Sequence, residues 1–417
     1  MIVTHLRLAN VRAIEAAEFR FEPGFNLIVG ANGVGKTTVL DVLRVCLSAI
    51  TKQTNGLRGR AVTFHGDDIR RQAEALTAEC GVRLGEGIST YLVHRPRSTS
   101  AARREGAGLP REQVFDTPER AEFLGGPPKL SSVDLLHGRP LAVLFSTGRA
   151  VPTERAPSKN VAAGGIAAAY ADAFAHRELR LGEFAAWMRV QRALEGEVIS
   201  AGHGLLALQG VVPRFLPGYS DLALGGESQD ELWISRGETR LPVRLLSDGE
   251  RGVLALVLDL TRRLSQANPD FVDPAAEAAA VVLIDEIDLH LHPSWQRKIV
   301  SNLQVAFPQC QFIATTHSPQ VIGEVTQDRV QIIADGEVYS PSHSYGVDSS
   351  RILEEVMDAD PRAEAVAGLL AEISQTIGRQ DYARAGELLN QLGERLGEDD
   401  PEVTRVRTLL DFLEGAG

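Results

Sequence analysis

Residues Leu27–Leu40 read LIVGANGVGKTTVL: an apolar run halts at Gly30, glycines recur at Gly33 and Gly35, and Lys36-Thr37-Thr38 opens a stretch with helical spacing. The segment Gly30-Ala31-Asn32-Gly33-Val34-Gly35-Lys36-Thr37 fits G-x-x-x-x-G-K-[ST]. Glycines let the backbone turn its N–H groups inward around phosphate, and the start of the following helix adds the positive end of its dipole. In such a loop Lys36 reaches the β and γ phosphates of ATP, and the Thr37 hydroxyl ligates Mg²⁺. A strand before and a helix after separate it from an ordinary glycine-rich turn.

The rest of the chain bounds what the nucleotide is for. A length of 417 residues allows about two or three domains, and 44% hydrophobic with 24% charged residues is an ordinary globular composition. The N-terminal MIVTHLRLANVRAIE has no basic segment followed by an apolar run, so it does not read as a signal peptide. No run approaches the ~18 apolar residues of a membrane span. Cys46, Cys80 and Cys310 are widely spaced, which suits reduced structural thiols in a cytoplasmic protein better than a metal or disulfide framework. The net charge of −12 is uneven: residues 352–417 carry 15 Asp/Glu against 6 Lys/Arg, and the remainder 40 against 37. A nearly neutral body with an acidic end is unlike a bulk nucleic-acid binder.

Alternating apolar and polar residues predict strands in IVTHLRLANV and AAEFRFEPGFNLIVG. ALTAECGVRL and PLAVLFSTGR also read as strands. HRPRSTSAARREGAGLPREQ reads as an exposed loop, the start of an insert over about 95–140. Residues from about 160 to 250 read as a helical lobe, with Leu181, Phe184 and Met188 on one face. AAAVVLIDEID and CQFIATTHSP are apolar runs of the kind found in parallel strands covered on both faces. Asp335-Gly336 signals a hairpin. Beyond Arg351 the pattern is helical only. Val366, Leu369, Leu370, Ile373 and Ile377 make one stripe, and Tyr382, Ala385, Leu389, Leu392 and Leu396 a second. Asp400-Pro401 opens a third helix.

Three further segments carry chemistry. Asp285, at the end of VVLIDEID, suits a Mg²⁺ ligand, and Glu286 beside it suits the group that polarises an attacking water. His317, in TTHSP after the next apolar run, is placed to meet the γ-phosphate. LLSDGERG, Leu245–Gly252, contains Ser247-Asp248-Gly249-Glu250, which alone would read as a turn and helix cap. The order of these segments, phosphate loop, LSDGE, Asp-Glu strand and His loop, resembles the ABC-type ATPase head over roughly residues 1–350. The resemblance implies an α/β fold: an ABC-type P-loop ATPase head with a mixed sheet and helical lobe, followed over 351–417 by an acidic all-α region. It also implies that Ser247 and Gly249, with Asp248 and Glu250, cap the γ-phosphate bound on a second subunit, so that the chain works as a homodimer or larger homo-oligomer. Asn10 and Arg12 in LANVRAI are similar to the N-F-R/K segment that contacts nucleotide in the DNA-repair branch, with Val11 in place of Phe. Ser146 and Thr147 stand where a glutamine loop is expected.

LSDGE in place of LSGGQ, and IDLHLHPSWQRKIV after Glu286, depart from a transporter subunit. No long heptad insert separates Lys36 from Ser247, unlike the coiled-coil ATPases. LIDEIDLHLHPSWQRKIVSNLQVAFPQCQFIATTHSPQVI is most similar to the PtuA-type ATPases of Septu and retron-linked anti-phage systems. That resemblance implies a regulatory ATPase, using ATP and Mg²⁺, with a small HNH nuclease (PtuB-like) as partner. The stretch after His317 is too short for a Toprim nuclease domain, so no nuclease site is expected in this chain. The alternative is a RecF-like DNA-repair ATPase, contacting DNA across paired heads through Arg95, Arg97, Arg103, Arg104 and Arg111.

Overall fold

A computed structural model describes residues 1–57, 60–85, 87–97, 120–126, 138–150, 165–176, 178–197, 199–226, 231–357, 359 and 362–415. These fall into two compact units, Met1–Asp348 and Ser349–Gly417.

The first unit is built on two sheets. One is antiparallel, of order β2-β1-β4-β5-β6, formed by β1 (Ile2–Val11), β2 (Ile14–Arg20), β4 (Ala75–Leu84), β5 (Gly87–Pro96) and β6 (Arg120–Leu124). The other has the order β14-β13-β3-β12-β11-β7, from β3 (Phe25–Gly30), β7 (Leu141–Phe145), β11 (Ala280–Ile284), β12 (Gln311–Thr315), β13 (Val330–Ala334) and β14 (Glu337–Tyr339). Its strands run parallel except at the β13–β14 hairpin. Asp335 and Gly336 turn that hairpin with φ of 50° and 81°, as an Asp-Gly pair is suited to do. Every residue of β3, β7, β11 and β12 is buried, the physical meaning of their unbroken apolar runs.

The helix Lys36–Asn55 lies in a core that draws on both sheets. From Thr38 to Thr51 all its residues except Arg44 are buried. Val39, Leu43, Cys46 and Ile50 share one cluster with Leu6, Phe19, Leu76 and Tyr91 of the antiparallel sheet and Leu144, Leu283 and Ile313 of the other. Its buried hydroxyls are satisfied locally: Ser48 donates to the Val45 carbonyl and Thr51 to the Leu47 carbonyl.

Side-chain amides join the two sheets. Gln311 accepts from the Val3 N–H at 2.7 Å and donates to the Val3 carbonyl at 2.8 Å, so it pairs with β1 as another strand would. Gln331 does the same at Arg20 of β2, accepting at 3.0 Å and donating at 2.6 Å. Asn26 closes the intervening turn by exchanging two bonds with Glu22. Each amide satisfies backbone groups that the end of a sheet would otherwise leave unpaired.

The α/β class, the mixed sheet behind the phosphate loop and the all-helical C-terminal region agree with the sequence reading. Two readings need correction. The helical lobe contains helices at Gly165–Tyr170, Leu181–Leu194 and Ile199–Phe215, but then a three-stranded sheet of order β10-β9-β8, made of β8 (Tyr219–Gly225), β9 (Glu231–Arg236) and β10 (Thr239–Pro242). Leu222 and Leu224 in β8, and Leu232 and Ile234 in β9, are buried at the period of two that marks a strand. The loop reading beginning at His94 also starts too early. His94, Arg95 and Pro96 belong to β5, which pairs along its length with β4, and Arg120–Leu124 forms β6. Residues 98–119 and 127–137 of that insert lie outside the described residues.

In the second unit Leu369, Ile373, Ala385, Leu388, Leu389, Leu392, Val403, Val406 and Leu410 form one core, with Val366, Leu370, Ile377, Tyr382 and Leu396 at its margin. The helices that build this core are Glu364–Gly378, Tyr382–Leu396 and Pro401–Gly415, preceded by a short helix Ser349–Glu355. The Asp400 carboxylate accepts from the Glu402 N–H at the start of the third.

Candidate nucleotide site

The phosphate-loop sequence runs from the C-terminal end of β3 into the helix at Lys36. Gly35 caps that helix with φ of 110°, and a Cβ there would stand 2.9 Å from the Ile14 side chain. A left-handed residue pressed against a neighbour is a place for glycine alone. Ala31, Asn32 and Gly33 are exposed, Val34 is half-buried, and Thr38 is buried beneath them. The Lys36 ammonium donates to the Gly30 carbonyl at 2.8 Å and the Ala31 carbonyl at 2.9 Å. Burial lowers its pKa, and Asp285, Glu286 and Asp288 oppose that shift.

β11 delivers the carboxylates. It lies between β12 and β7, with Ile284 level with Ala314 and Phe145, so Asp285 emerges where three parallel strands end. The Thr37 hydroxyl lies 3.2 and 3.3 Å from the two Asp285 oxygens. Thr315 donates to Asp285 Oδ1 at 2.7 Å while its hydroxyl accepts the Glu286 N–H, also at 2.7 Å. Glu286 is half-buried with φ of 48°, a left-handed value unusual for a residue other than glycine. Thr37 and Asp285 are hard oxygen donors drawn together, a fit for Mg²⁺, which commonly takes one or two protein carboxylates and fills its octahedron with water and phosphate oxygens. Among the described residues no cluster of three or more His, Cys, Asp or Glu could hold a metal by itself.

Arg149 is the site residue that sequence reasoning missed. It lies in the short turn Thr147–Ala150 after β7, where the glutamine loop was sought, and it is 5% exposed. Its guanidinium donates to the carbonyls of Ser146 at 3.0 Å, Asp285 at 2.5 Å and Glu286 at 2.6 Å. Desolvation pushes its pKa down to about 10, against the pull of Asp285, Asp288 and Glu286. Only the pairing of β7 with β11 brings position 149 to position 285. The sequence hint is an arginine in the turn that follows a buried strand.

His317 is half-buried between two fixed neighbours. Thr316 donates to Asp288 at 2.5 Å, and Ser318 donates to the Gln296 side chain at 2.8 Å. Ser247 caps the helix Asp248–Ala267 in a reciprocal capping box with Glu250. Burial works to raise the Glu250 pKa, but hydrogen bonds from Ser247 and Tyr219 hold it below the usual range. Ser247 and Asp248 are exposed, and Asp248 pairs with Arg251. Gly249 is buried, and a Cβ there would lie 2.4 Å from the His290 carbonyl. The missing side chain thus has a reason inside this chain: the helix start approaches the loop that follows Glu286.

Asn10 and Arg12 have partners within the chain. Both backbones are left-handed, and the Asn10 carbonyl accepts the Arg70 N–H. Arg12 bonds Asp41 at 2.7 Å and Asp68 at 2.9 Å, and Asp41 also holds His176 at 2.9 Å. Its guanidinium is committed to carboxylates of the framework, one of them on the phosphate-loop helix. Within the arginine segment, Arg97 donates to the carbonyls of Ile69, Arg70 and Ala73, so it fixes a turn. Arg103, Arg104 and Arg111 lie outside the described residues.

Two family models match the chain, one described as "AAA domain, putative AbiEii toxin, Type IV TA system" over residues 206–323 and one described as "AAA domain" over residues 5–119. The second range contains the phosphate loop, and the first contains Ser247, Asp285, Glu286 and His317. The chain is 37% identical over 198 residues to the Retron Ec83 probable ATPase of Escherichia coli, covering 46% of this chain and 36% of that protein. It is 22% identical over 417 residues to the Septu protein PtuA of Bacillus thuringiensis, covering 96% of each. The chain spans little more than a third of the retron-linked relatives, 36% and 37%. A solved SMC head, crystallised with the C-winged helix domain of ScpA, aligns over 82% of this chain and 97% of that one, at 17% identity and a TM-score of 0.48. The chain's relatives therefore include retron probable ATPases and Septu PtuA proteins.

Thr315 is the side chain that ties Asp285 to the Glu286 backbone, and it is fully buried. Thr315→Val keeps its volume but leaves a carboxylate oxygen and an N–H with lost partners, so stability should fall by about 1–3 kcal/mol. Thr315→Ser should recover most of the loss. Urea unfolding midpoints measure both, and a Val variant as stable as the parent would show that the relay is replaceable.

Proposed function

We propose that this chain is an ATP-binding and ATP-hydrolysing regulatory ATPase of a bacterial anti-phage defence system, pairing through composite ATP sites and controlling a partner nuclease. The observation that carries the reading is the meeting of Lys36, Thr37, Asp285 and Glu286, from segments far apart in sequence, at the C-terminal ends of β3 and β11, the two parallel strands that flank β12. In α/β sheets ligands bind at that edge. The loop N–H groups and the Lys36 ammonium bind the triphosphate, with Lys36 exchanging its carbonyl partners for phosphate oxygens. Thr37 and Asp285 hold Mg²⁺, which neutralises charge on the phosphates. The Glu286 carboxylate orients and polarises the attacking water, and His317 contacts the γ-phosphate. Ser247, exposed at a helix start, caps the phosphate held by a second copy. The names of the retron-linked and Septu relatives support the defence setting. In this reading cleavage belongs to a small HNH nuclease held by the acidic unit Ser349–Gly417.

The first test is hydrolysis. Glu286→Gln should bind ATP as the parent does while turnover falls by roughly 100-fold or more, because the phosphate and metal contacts come from other residues. Single-turnover measurements with radiolabelled ATP check this, and unchanged turnover would remove Glu286 from the mechanism.

Pairing is tested by mixing inactive chains. Lys36→Ala and Ser247→Arg should each be inactive alone. A mixture should regain activity, since one interface of each mixed pair keeps an intact loop and an intact Ser247. Mixtures no better than either variant would argue for sites completed within one chain.

The acidic unit is tested by truncation. Residues 352–417 carry 15 carboxylates against 6 basic groups, a surplus that its helical core does not require. A basic partner would relieve the repulsion and associate faster at low salt. A chain ending at Met357 should hydrolyse ATP but no longer co-purify with a co-expressed small HNH nuclease. Full retention of the nuclease would move the docking surface elsewhere.

A further inference from the structure

Glu286 stands in a backbone conformation that its residue type disfavours, with φ of 48°. What holds it there is visible from both sides. Its N–H is taken by the Thr315 hydroxyl. Its carbonyl accepts from Arg149 at 2.6 Å and from the Leu289 N–H at 2.9 Å. The preceding carbonyl, of Asp285, takes the other Arg149 nitrogen at 2.5 Å, while the Asp285 N–H donates to Phe145. Arg149 therefore grips two consecutive carbonyls across the Asp285–Glu286 peptide, and the direction of that peptide fixes where the Glu286 side chain leaves the backbone.

The residue type suits this task. A guanidinium is a rigid planar fork whose nitrogens reach two acceptors at a fixed spacing, whereas an ammonium is a point donor. Among the described residues no carboxylate contacts the charge; its hydrogen-bond acceptors there are backbone carbonyls, with Asp285, Glu286 and Asp288 near enough to favour it electrostatically. A cation 5% exposed is costly to bury, and an apolar side chain would fill the same space at less cost. A role in packing alone does not account for an arginine here.

We propose that Arg149 is a positioning residue for hydrolysis: by clamping the carbonyls of Asp285 and Glu286 it aims the Glu286 carboxylate at the attacking water. The proposal rests on the ATPase reading of the site. It differs from a purely structural role in one respect, that Arg149 acts through Glu286 and is of no further use once Glu286 cannot act.

The experiment uses the full chain with Arg149→Met, Arg149→Lys, Glu286→Gln and the Arg149→Met/Glu286→Gln double variant. Turnover, equilibrium binding of a fluorescent ATP analogue and the unfolding midpoint are measured for each. Arg149→Met should lose about 100-fold in kcat, the scale of a misaimed catalytic group. Its analogue binding should stay within about threefold of the parent. Arg149→Lys, with the charge but not the fork, should regain only a small part of the loss. The double variant should turn over no more slowly than Glu286→Gln alone. Parental kcat in a folded Arg149→Met, or a double variant slowed by the full factor of both changes, would overturn the proposal. If Arg149→Met does not fold, Arg149→Lys decides: lowered kcat with retained binding supports positioning, and parental kcat refutes it. Failure of both to fold assigns Arg149 to the core and also refutes it. A parent without hydrolysis would instead sink the ATPase reading.

Discussion

Burial of the helix Lys36–Asn55 is the constraint from which the rest of the first unit follows. A helix covered from Thr38 to Thr51 on all but one residue must have apolar partners on opposite sides, and two sheets supply them. The sheets can enclose it only if they are joined at one edge. Gln311, Gln331 and Asn26 make that joint with hydrogen bonds to backbone groups of β1, β2 and the turn between sheets. Once the helix is held, the loop before it has little freedom. Gly35 closes against Ile14 of the antiparallel sheet while Gly30 belongs to the parallel one. The candidate phosphate site is thus assembled across the joint.

Electrostatics at that joint is a balance of buried charges. Asp285, Glu286 and Asp288 cluster in one short turn, and Lys36 and Arg149 are the cations that feel them. Both cations are shifted down by desolvation and partly restored by the carboxylates. Among the described residues neither forms a close ion pair: each donates to carbonyls instead, Lys36 on the phosphate loop and Arg149 on the Asp-Glu turn. Separating the charges in this way leaves the carboxylate of Glu286 and the ammonium of Lys36 free of one another. A directly paired site would have to break that pair before meeting a ligand.

Backbone proximity links the helix that begins at Ser247 to the same turn. Gly249 lies so close to the His290 carbonyl that even a methyl group would collide with it. Tyr219, from the small sheet within the helical lobe, bonds Glu250 at 3.0 Å and braces the capping box from the other side. The exposed Ser247 and the loop following Glu286 therefore share a rigid connection, and neither can shift far without the other.

Much of this protein is legible in the sequence because local rules suffice for it. The phosphate loop, the unbroken apolar runs of β11 and β12, the Asp335-Gly336 hairpin and the helical stripes after Arg351 each follow from periodicity or turn chemistry. Their order along the chain is what resembles an ABC-type ATPase head. Local rules fail where a residue's meaning depends on what another strand brings beside it. Arg12 matched a nucleotide-contact segment, yet Asp41 and Asp68 take its guanidinium. Gly249 stands in the stretch that resembles a phosphate cap, and only the fold adds that the His290 carbonyl requires a glycine there. Arg149 carried no motif at all, and only the parallel pairing of β7 with β11 sets it under the Asp285–Glu286 peptide. Sequence alone determined which segments are strands, loops and helices around the phosphate loop. Tertiary structure decided which side chains face it, because the hydrogen-bond partners of a buried polar group are chosen by strand order and not by neighbours in the chain.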